Sequence, residues 1–449
     1  MKERTRRLLR SLIFLLLLGA AVIGVQGLFG SNSSWDYEHE RNYLLEKPGS
    51  LDGVYVGTSN VHAFWQPAYG WKQHGIAVWN YSIDAAPAEA IKYMVIEARK
   101  TQPDALYIIN LNTFKAESVD PDTTSIHRVV DYMPFSLNRL RLTRRLTEKL
   151  DMPPLEKLEF YLPIIRFHTR WDELKDWVYG AADFDYKGSL HYSAYQKNVT
   201  DYSKTYRVYE GLEPVSDDVA EIMDDLLDYC DAEKLRVLFV IVPQVVSRED
   251  QGRMQTLAQT VRDRGYTCLD LLTDYRELKL DLRMDFYNRK HTNVHGSLKF
   301  ADWLGTYLME QEGMTDKRGQ PGWESWEAAS ESYLEDYLGA YHLPFELSLE
   351  NRTELEGPAM KRVTVKELSA TVTWDPSEGA DGYEIFRKAD DRGWESVTAV
   401  EASASSYTEE GLEPKTKYTY TAVPFLETES GRKYGHFSVN GVSGTTGGT

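Results

Sequence analysis

Cysteine is nearly absent, with two residues in 449, Cys230 and Cys268. That scarcity excludes a disulfide framework and any multi-cysteine zinc site. Cys230 closes a helix-like run, "EIMDDLLDYC", and Cys268 opens a strand-like one, "YTCLDLL". They are expected as two buried thiols, with a single bridge as the alternative. Positive charge is also short: 51 Lys and Arg face 69 Asp and Glu, for a net charge of −18. An acidic chain of this kind is a poor partner for nucleic-acid phosphate. Internal repeats are missing. His291 and His295 lie four residues apart, but no third ligand or intervening glutamate accompanies them, so no metal is expected. No cofactor is expected either.

The one basic region is the start, "MKERTRRLLR", which runs into "SLIFLLLLGAAVIGVQGLFG". The stretch Leu12 to Val25 carries no charge, and the run to residue 30 reaches the ~20 residues that span a bilayer as helix. Basic residues ahead of it predict a cytoplasmic N-terminus and an exported bulk. The reading is a single-pass signal anchor contacting membrane lipid, over residues 1–30. A cleaved signal peptide with Val25-Gln26-Gly27 as its site is the alternative.

Beyond the anchor, apolar runs alternate with amphipathic ones. "GVYVG", "AVWNYSI", "ALYIINL", "RVLFVIVP" and "YTCLDL" read as buried strands, and "AEAIKYMVIEARK", "DDVAEIMDDLLDYC" and "EDQGRMQTLAQTVRD" as helices between them. This alternation predicts an α/β three-layer parallel sheet over residues 31–311. Residues 115–215 break it with an insertion rich in aromatics and arginine ("FHTRW"), suited to a lid or substrate wall. Arg170 and Trp171 are its candidate substrate-binding residues; a packed tryptophan beside a surface arginine is the plainer alternative. Residues 312–359 read as helix and linker.

From residue 360 to 446 the texture is all-β, with short alternating runs between turn signals. "VTVKELSATVTWDP", "YEIFRK" and "LEPKTKYTY" carry the resemblance to a fibronectin type III domain. It implies a buried Trp374 and a tyrosine corner at Leu412 and Tyr418.

Two stretches carry chemistry. "VYVGTSN" ends a strand in Gly57 and turns at Ser59, which places a hydroxyl at the strand's C-terminal edge, where ligands of open α/β sheets gather. Ser59 could equally cap the following helix. "DFYNRKHTNVHGSLKF" supplies an imidazole, His291, just beyond the last strand. Together they resemble the SGNH (GDSL-type) hydrolase family, in its DltD/AlgX-like exported branch. "GTSN" resembles the nucleophile block, and His291, Asn293 and Gly296 resemble the terminal histidine block. The resemblance implies a flavodoxin-like fold with Ser59 as nucleophile and His291 as base. It further implies oxyanion donors at the backbone of Ser59 and Ala85 and at the side chain of Asn112, which stands one place early with Thr113 at the aligned position. Asn288 occupies the place of the family's aspartate. Three arrangements follow: Asn288 orients the imidazole, Asp285 supplies charge, or Ser59 and His291 work as a dyad. His295 is expected as a solvent-facing turn residue. The expected function is a serine esterase or O-acyltransferase acting on acylated cell-wall or surface glycans. An inactive scaffold for surface binding or assembly is the alternative. Protein partners are unspecified.

Overall fold

The computed structural model describes residues 3–29, 35–114, 122–167, 186–189, 202–282, 285–340, 351–390, 392–438 and 440–447. Arg170 and Trp171 lie outside the described residues. Five parallel strands form the central sheet: β1 (Gly53–Gly57), β2 (Val78–Ser82), β3 (Leu106–Asn110), β4 (Val237–Ile241) and β5 (Thr267–Asp270). β1 to β4 are buried at every position, as strands covered on both faces must be. The order is β2-β1-β3-β4-β5. Strand order reverses between β1 and β3, and the crevice beyond their carboxyl ends is where such sheets take ligands.

The helices in chain order are α1 (Glu3–Phe29), α2 (Trp35–Leu45), α3 (Ser59–Phe64), α4 (Pro67–His74), α5 (Ala90–Arg99), α6 (Thr123–Val130) and α7 (Leu137–Glu148). After them come α8 (Leu158–Tyr161), α9 (Pro163–Phe167), α10 (Asp217–Glu233), α11 (Arg248–Asp263), α12 (Val294–Glu310) and α13 (Glu324–Ala340). Local chemistry sets several starts. Ser216, Ser247 and Asn293 each accept a backbone N–H three residues on, capping α10, α11 and α12. Inside α1, Leu12, Phe14, Leu15, Leu16 and Leu17 are exposed to solvent. The sequence predicts a membrane span here; among the described residues no helix is long and apolar enough to cross a membrane.

The 312–359 region does more than link. α13 docks on α4, stacking Trp323 on Trp71 at 5.2 Å between ring centroids and bringing Trp326 within 5.5 Å of Trp71. Trp326 also donates to Glu46, which pairs with buried Lys187 at 2.6 Å.

Antiparallel strands follow: β6 (Ala359–Lys366), β7 (Ser369–Asp375), β8 (Gly382–Ala389), β9 (Glu395–Glu401), β10 (Ser406–Glu409), β11 (Lys417–Thr428), β12 (Gly431–Tyr434) and β13 (Val442–Thr445). They form two sheets, β10-β7-β6 and β12-β11-β8-β9, with β13 also on β11. Trp374 is buried between them, and the Tyr418 hydroxyl accepts the Glu413 N–H at 3.0 Å, closing the corner over buried Leu412. Phe425, Tyr434 and Phe437 of this unit join the apolar core of the α/β unit. Cys230 and Cys268 are free and buried, and burial pushes both thiols up to about 12.

Candidate functional site

β1 runs into α3 through Gly57 and Thr58. A side chain at Gly57 would put its Cβ 2.6 Å from Val61 and 2.9 Å from Asn110, so only glycine lets the strand end this close to its own helix and to β3. The turn leaves Ser59 half-buried at the sheet's C-terminal rim. Its N-cap, Thr58, makes no side-chain bond to the first amides of α3.

The histidine arrives on the loop between β5 and α12. That loop is pinned at both ends. Phe286 and Thr292 form an isolated antiparallel bridge, Asn293 donates its N–H to the Asp285 carbonyl at 2.9 Å, and Gly296 passes where any Cβ would lie 2.3 Å from that same carbonyl. The Thr292 hydroxyl donates to the Ala63 carbonyl of α3, tying the loop to the helix that carries Ser59. As a result Ser59 Oγ and His291 Nε2 stand 2.9 Å apart, within hydrogen-bond reach of a nucleophile and its base.

Gln244 adds a second tie that sequence reasoning did not single out. It is buried after β4, and its amide nitrogen donates to Asn60 Oδ1 at 2.7 Å and to the Lys290 carbonyl at 3.2 Å. One side chain thus joins the residue after Ser59 to the residue before His291. The signal was its position, just past a fully apolar strand at the active rim.

The candidates for the acid are placed differently from expectation. Asn288 Oδ1 accepts the N–H groups of Lys290 and His291 at 2.8 and 3.0 Å, so its carboxamide shapes the turn and makes no bond to the imidazole. Asp285 is buried with its carboxylate on Lys299 Nζ at 2.8 Å and on the Asp281 N–H at 2.6 Å. Burial would raise its carboxyl, but Lys299, the His436 charge and these hydrogen bonds hold it below the usual range. Neither side chain orients the ring of His291.

A carboxylate from another element stands in the field of His291. Asp84 follows β2, its Oδ1 3.2 Å from Nε2 of buried His62 and its Oδ2 3.3 Å from Arg128 of α6. Partial burial would raise the Asp84 carboxyl; the His62 hydrogen bond and charge, then Arg128 and His291, bring it below the usual range. His62 Nδ1 is 3.1 Å from the hydroxyl of buried Ser82, which fixes the ring that holds Asp84. A lone aspartate after a strand gives no sequence signal for this placement.

The oxyanion candidates divide. Ala85 has φ +54, in the left-handed region that favours glycine, and its N–H makes no hydrogen bond among the described residues. Alanine there costs about 1 kcal/mol. Asn112 is a correction. Its Nδ2 donates to the Val242 carbonyl at 3.0 Å and its Oδ1 accepts the Val242 N–H at 2.7 Å. The buried amide continues the β3–β4 ladder past Asn110↔Val240, and its nitrogen also lies 3.8 Å from Met254 Sδ, so it is turned into the core and away from a substrate. Thr113 Oγ1 is buried without a hydrogen-bond partner among the described residues, 3.5 Å from where a Cβ on Gly57 would sit.

His295 is not solvent-facing. It is buried, with Nδ1 2.9 Å from Arg352, and its ring meets Phe437 edge-on at 5.7 Å. The sandwich covers what the sequence alone reads as a surface turn. Among the described residues no group of side chains is suited to hold a metal ion.

No family model matches the chain, and no curated protein is similar to it. Solved structures align with about a fifth of it. The FN5 domain of Drosophila Lar is 23% identical over 21% of this chain and 99% of its own, with a TM-score of 0.18. A human collagen XX FN3 domain is 26% identical over 20% and 91%, with a TM-score of 0.15. A β-1,2-glucanase from Parabacteroides distasonis is 21% identical over 21% of this chain, TM-score 0.19, and the chain spans only 13% of its length. The fibronectin type III-like architecture rests on the chain's own two antiparallel sheets, buried Trp374 and Tyr418 corner. The SGNH resemblance rests on the residues alone.

Proposed function

We propose that the protein is a membrane-attached, exported SGNH-type serine esterase or O-acyltransferase acting on acyl groups of cell-wall or surface glycans. The observation that carries this reading is the 2.9 Å contact between Ser59 Oγ and His291 Nε2 at the carboxyl rim of a parallel sheet. In the reaction, Ser59 Oγ attacks the ester carbonyl carbon while His291 Nε2 takes its proton. The carbonyl oxygen becomes an oxyanion facing the backbone N–H groups of Ser59 and Ala85. Collapse breaks the bond to the alcohol oxygen, which leaves with the proton from His291. Water or a sugar hydroxyl then gives its proton to His291 and attacks the acyl-serine carbonyl carbon; the bond to Ser59 Oγ breaks, and Oγ takes the proton back from His291. Asp84 is the carboxylate that favours the imidazolium formed in each half. Membrane attachment is supported by the basic flank and the exposed leucines of α1.

An inactive scaffold for surface binding or assembly is the second reading, favoured by the engaged side chains of Asn288 and Asn112. A fluorophosphonate probe separates the two. Wild type is expected to label at Ser59 and Ser59→Ala not at all; equal, weak labelling of both would leave only the scaffold.

A further inference from the structure

A cleft of about 420 Å³ opens where the α/β unit meets the sandwich. One wall is α12, the helix that begins three residues after His291; the other carries Arg352, Thr353 and Glu354, with His436 of the sandwich at its edge. Clefts between two folded units are favoured places for ligands. Trp303 and Tyr307 lie four residues apart on one face of α12, both half-buried, their rings inclined by 17° with centroids 5.9 Å apart. Asp302, Thr306, Glu310 and Gln311 border them.

The charges narrow the ligand. Lys299 is held by Asp285 at 2.8 Å, and Lys279 by Glu354 at 2.6 Å. Glu277 and Glu310 form no ion pair among the described residues. Arg352 brings one positive charge, its guanidinium 2.9 Å from His295 Nδ1, and the carboxylates of Glu277, Asp302 and Glu310 outnumber it, so the balance of the cleft is negative, which disfavours an anion. Two nearly parallel rings offer flat apolar surface, and the carboxylates beside them accept hydrogen bonds. Gln311 adds donors, which a hydroxyl can satisfy and an ammonium cannot, while the Thr306 hydroxyl, which donates to the Asp302 carbonyl at 3.0 Å, keeps its lone pairs as acceptors. That combination matches a pyranose, whose C–H face lies on an aromatic ring while its hydroxyls both donate and accept.

We propose that this cleft is a binding site for an uncharged glycan strand, separate from the Ser59 centre and built jointly by the α/β unit and the sandwich. It does not depend on any reaction at Ser59.

Calorimetric titration of the full-length protein in detergent tests this. The probes are cellohexaose and chitohexaose as uncharged strands, polygalacturonate as an anionic one and oligolysine as a cationic peptide. At least one uncharged hexasaccharide is expected to bind, and Trp303→Ala and Tyr307→Ala each to weaken it about tenfold. Ser59→Ala should bind as wild type does, and polygalacturonate should not bind. Trp303 is partly packed, so Thr306→Arg, at an exposed position, provides a variant that fills the cleft with both rings kept, its fold checked by thermal melting. The proposal is overturned if neither hexasaccharide binds at millimolar concentration, if only oligolysine binds, or if binding survives all three cleft variants. Loss of binding in Ser59→Ala would also overturn it, because the sugar would then belong to the catalytic centre.

Discussion

Gln244 donates from one amide nitrogen to Asn60 Oδ1 and to the Lys290 carbonyl, so one buried side chain bridges the serine turn and the histidine loop alongside the Thr292 tie. These segments are far apart in sequence, and the 2.9 Å contact between Ser59 and His291 depends on their registration. Gln244→Ala is expected to reduce fluorophosphonate labelling of Ser59 by roughly tenfold to a hundredfold, since small misplacements of reacting groups cost that much. It also leaves the buried Asn60 acceptor unpaired, for a loss of about 1 to 3 kcal/mol. Labelling rates and urea denaturation measured on the same protein check both. An unchanged labelling rate would show that Thr292 and the backbone alone hold the loop.

Asp84 is tested by removing its charge without its shape. Asp84→Asn keeps a group that accepts a hydrogen bond but no longer favours an imidazolium at His291. Turnover of an ester substrate is expected to fall by tenfold or more, and Asn288→Ala to alter turnover chiefly through the stability of the turn it braces. Pre-steady-state acylation rates and thermal melting separate the two. If Asp84→Asn acylates at the wild-type rate, the pair works as a dyad with no carboxylate behind it.

Thr113 poses a cleaner question. A buried hydroxyl without a partner costs desolvation energy in the folded state, so Thr113→Val should hold or raise stability, by up to about 1 kcal/mol. If the hydroxyl serves the oxyanion in place of the engaged Asn112, the same change lowers the acylation rate by roughly a hundredfold. A variant that is at least as stable as wild type but slow to acylate identifies a donor. One that is equally fast leaves only the backbone groups of Ser59 and Ala85.

What the sequence made legible follows from which signals are local. Strand existence was readable because β1, β3 and β4 are buried on both faces and so are nearly continuous apolar runs, β2 alone carrying two buried polar residues, Asn80 and Ser82. The corner at Tyr418 was readable because its partner, Glu413, lies five residues away. Side-chain commitments across long separations were not. Asn112 pairs with Val242 and Asp285 with Lys299, and no spacing in the sequence distinguishes a carboxamide spent on a ladder from one aimed at a substrate. His295 looked like a surface turn because the residues that bury it, Arg352 and Phe437, come from chain more than fifty residues on. The same separation hid the docking of α13: a helix was expected within 312–359, and nothing local tied Trp323 and Trp326 to Trp71.

The seam that covers His295 should make folding sensitive to mild acid. Burial first, against the opposing pull of Asp285, pushes the His436 imidazole down from its ordinary 6.5 to about 4, with Lys299 and Arg352 adding repulsion. Burial, then Arg352, also holds His295 well below its ordinary value. Between pH 6.5 and 4 the unfolded chain carries protons that the folded chain refuses, so stability falls as pH drops through that window. Asp285, itself held below its ordinary 3.8, adds a loss of the same sign only below that value, outside the window. Glu40, raised by burial to about 8, acts oppositely: its contribution weakens as pH rises from 4.5 toward 8. Comparing wild type with His436→Gln cancels the Glu40 term, because that residue is common to both. The wild-type protein is expected to lose on the order of 2 kcal/mol more than the variant between pH 7 and 4.5. Urea denaturation at the two pH values measures the difference, and parallel losses in both proteins would mean that His436 takes up its proton without disturbing the seam.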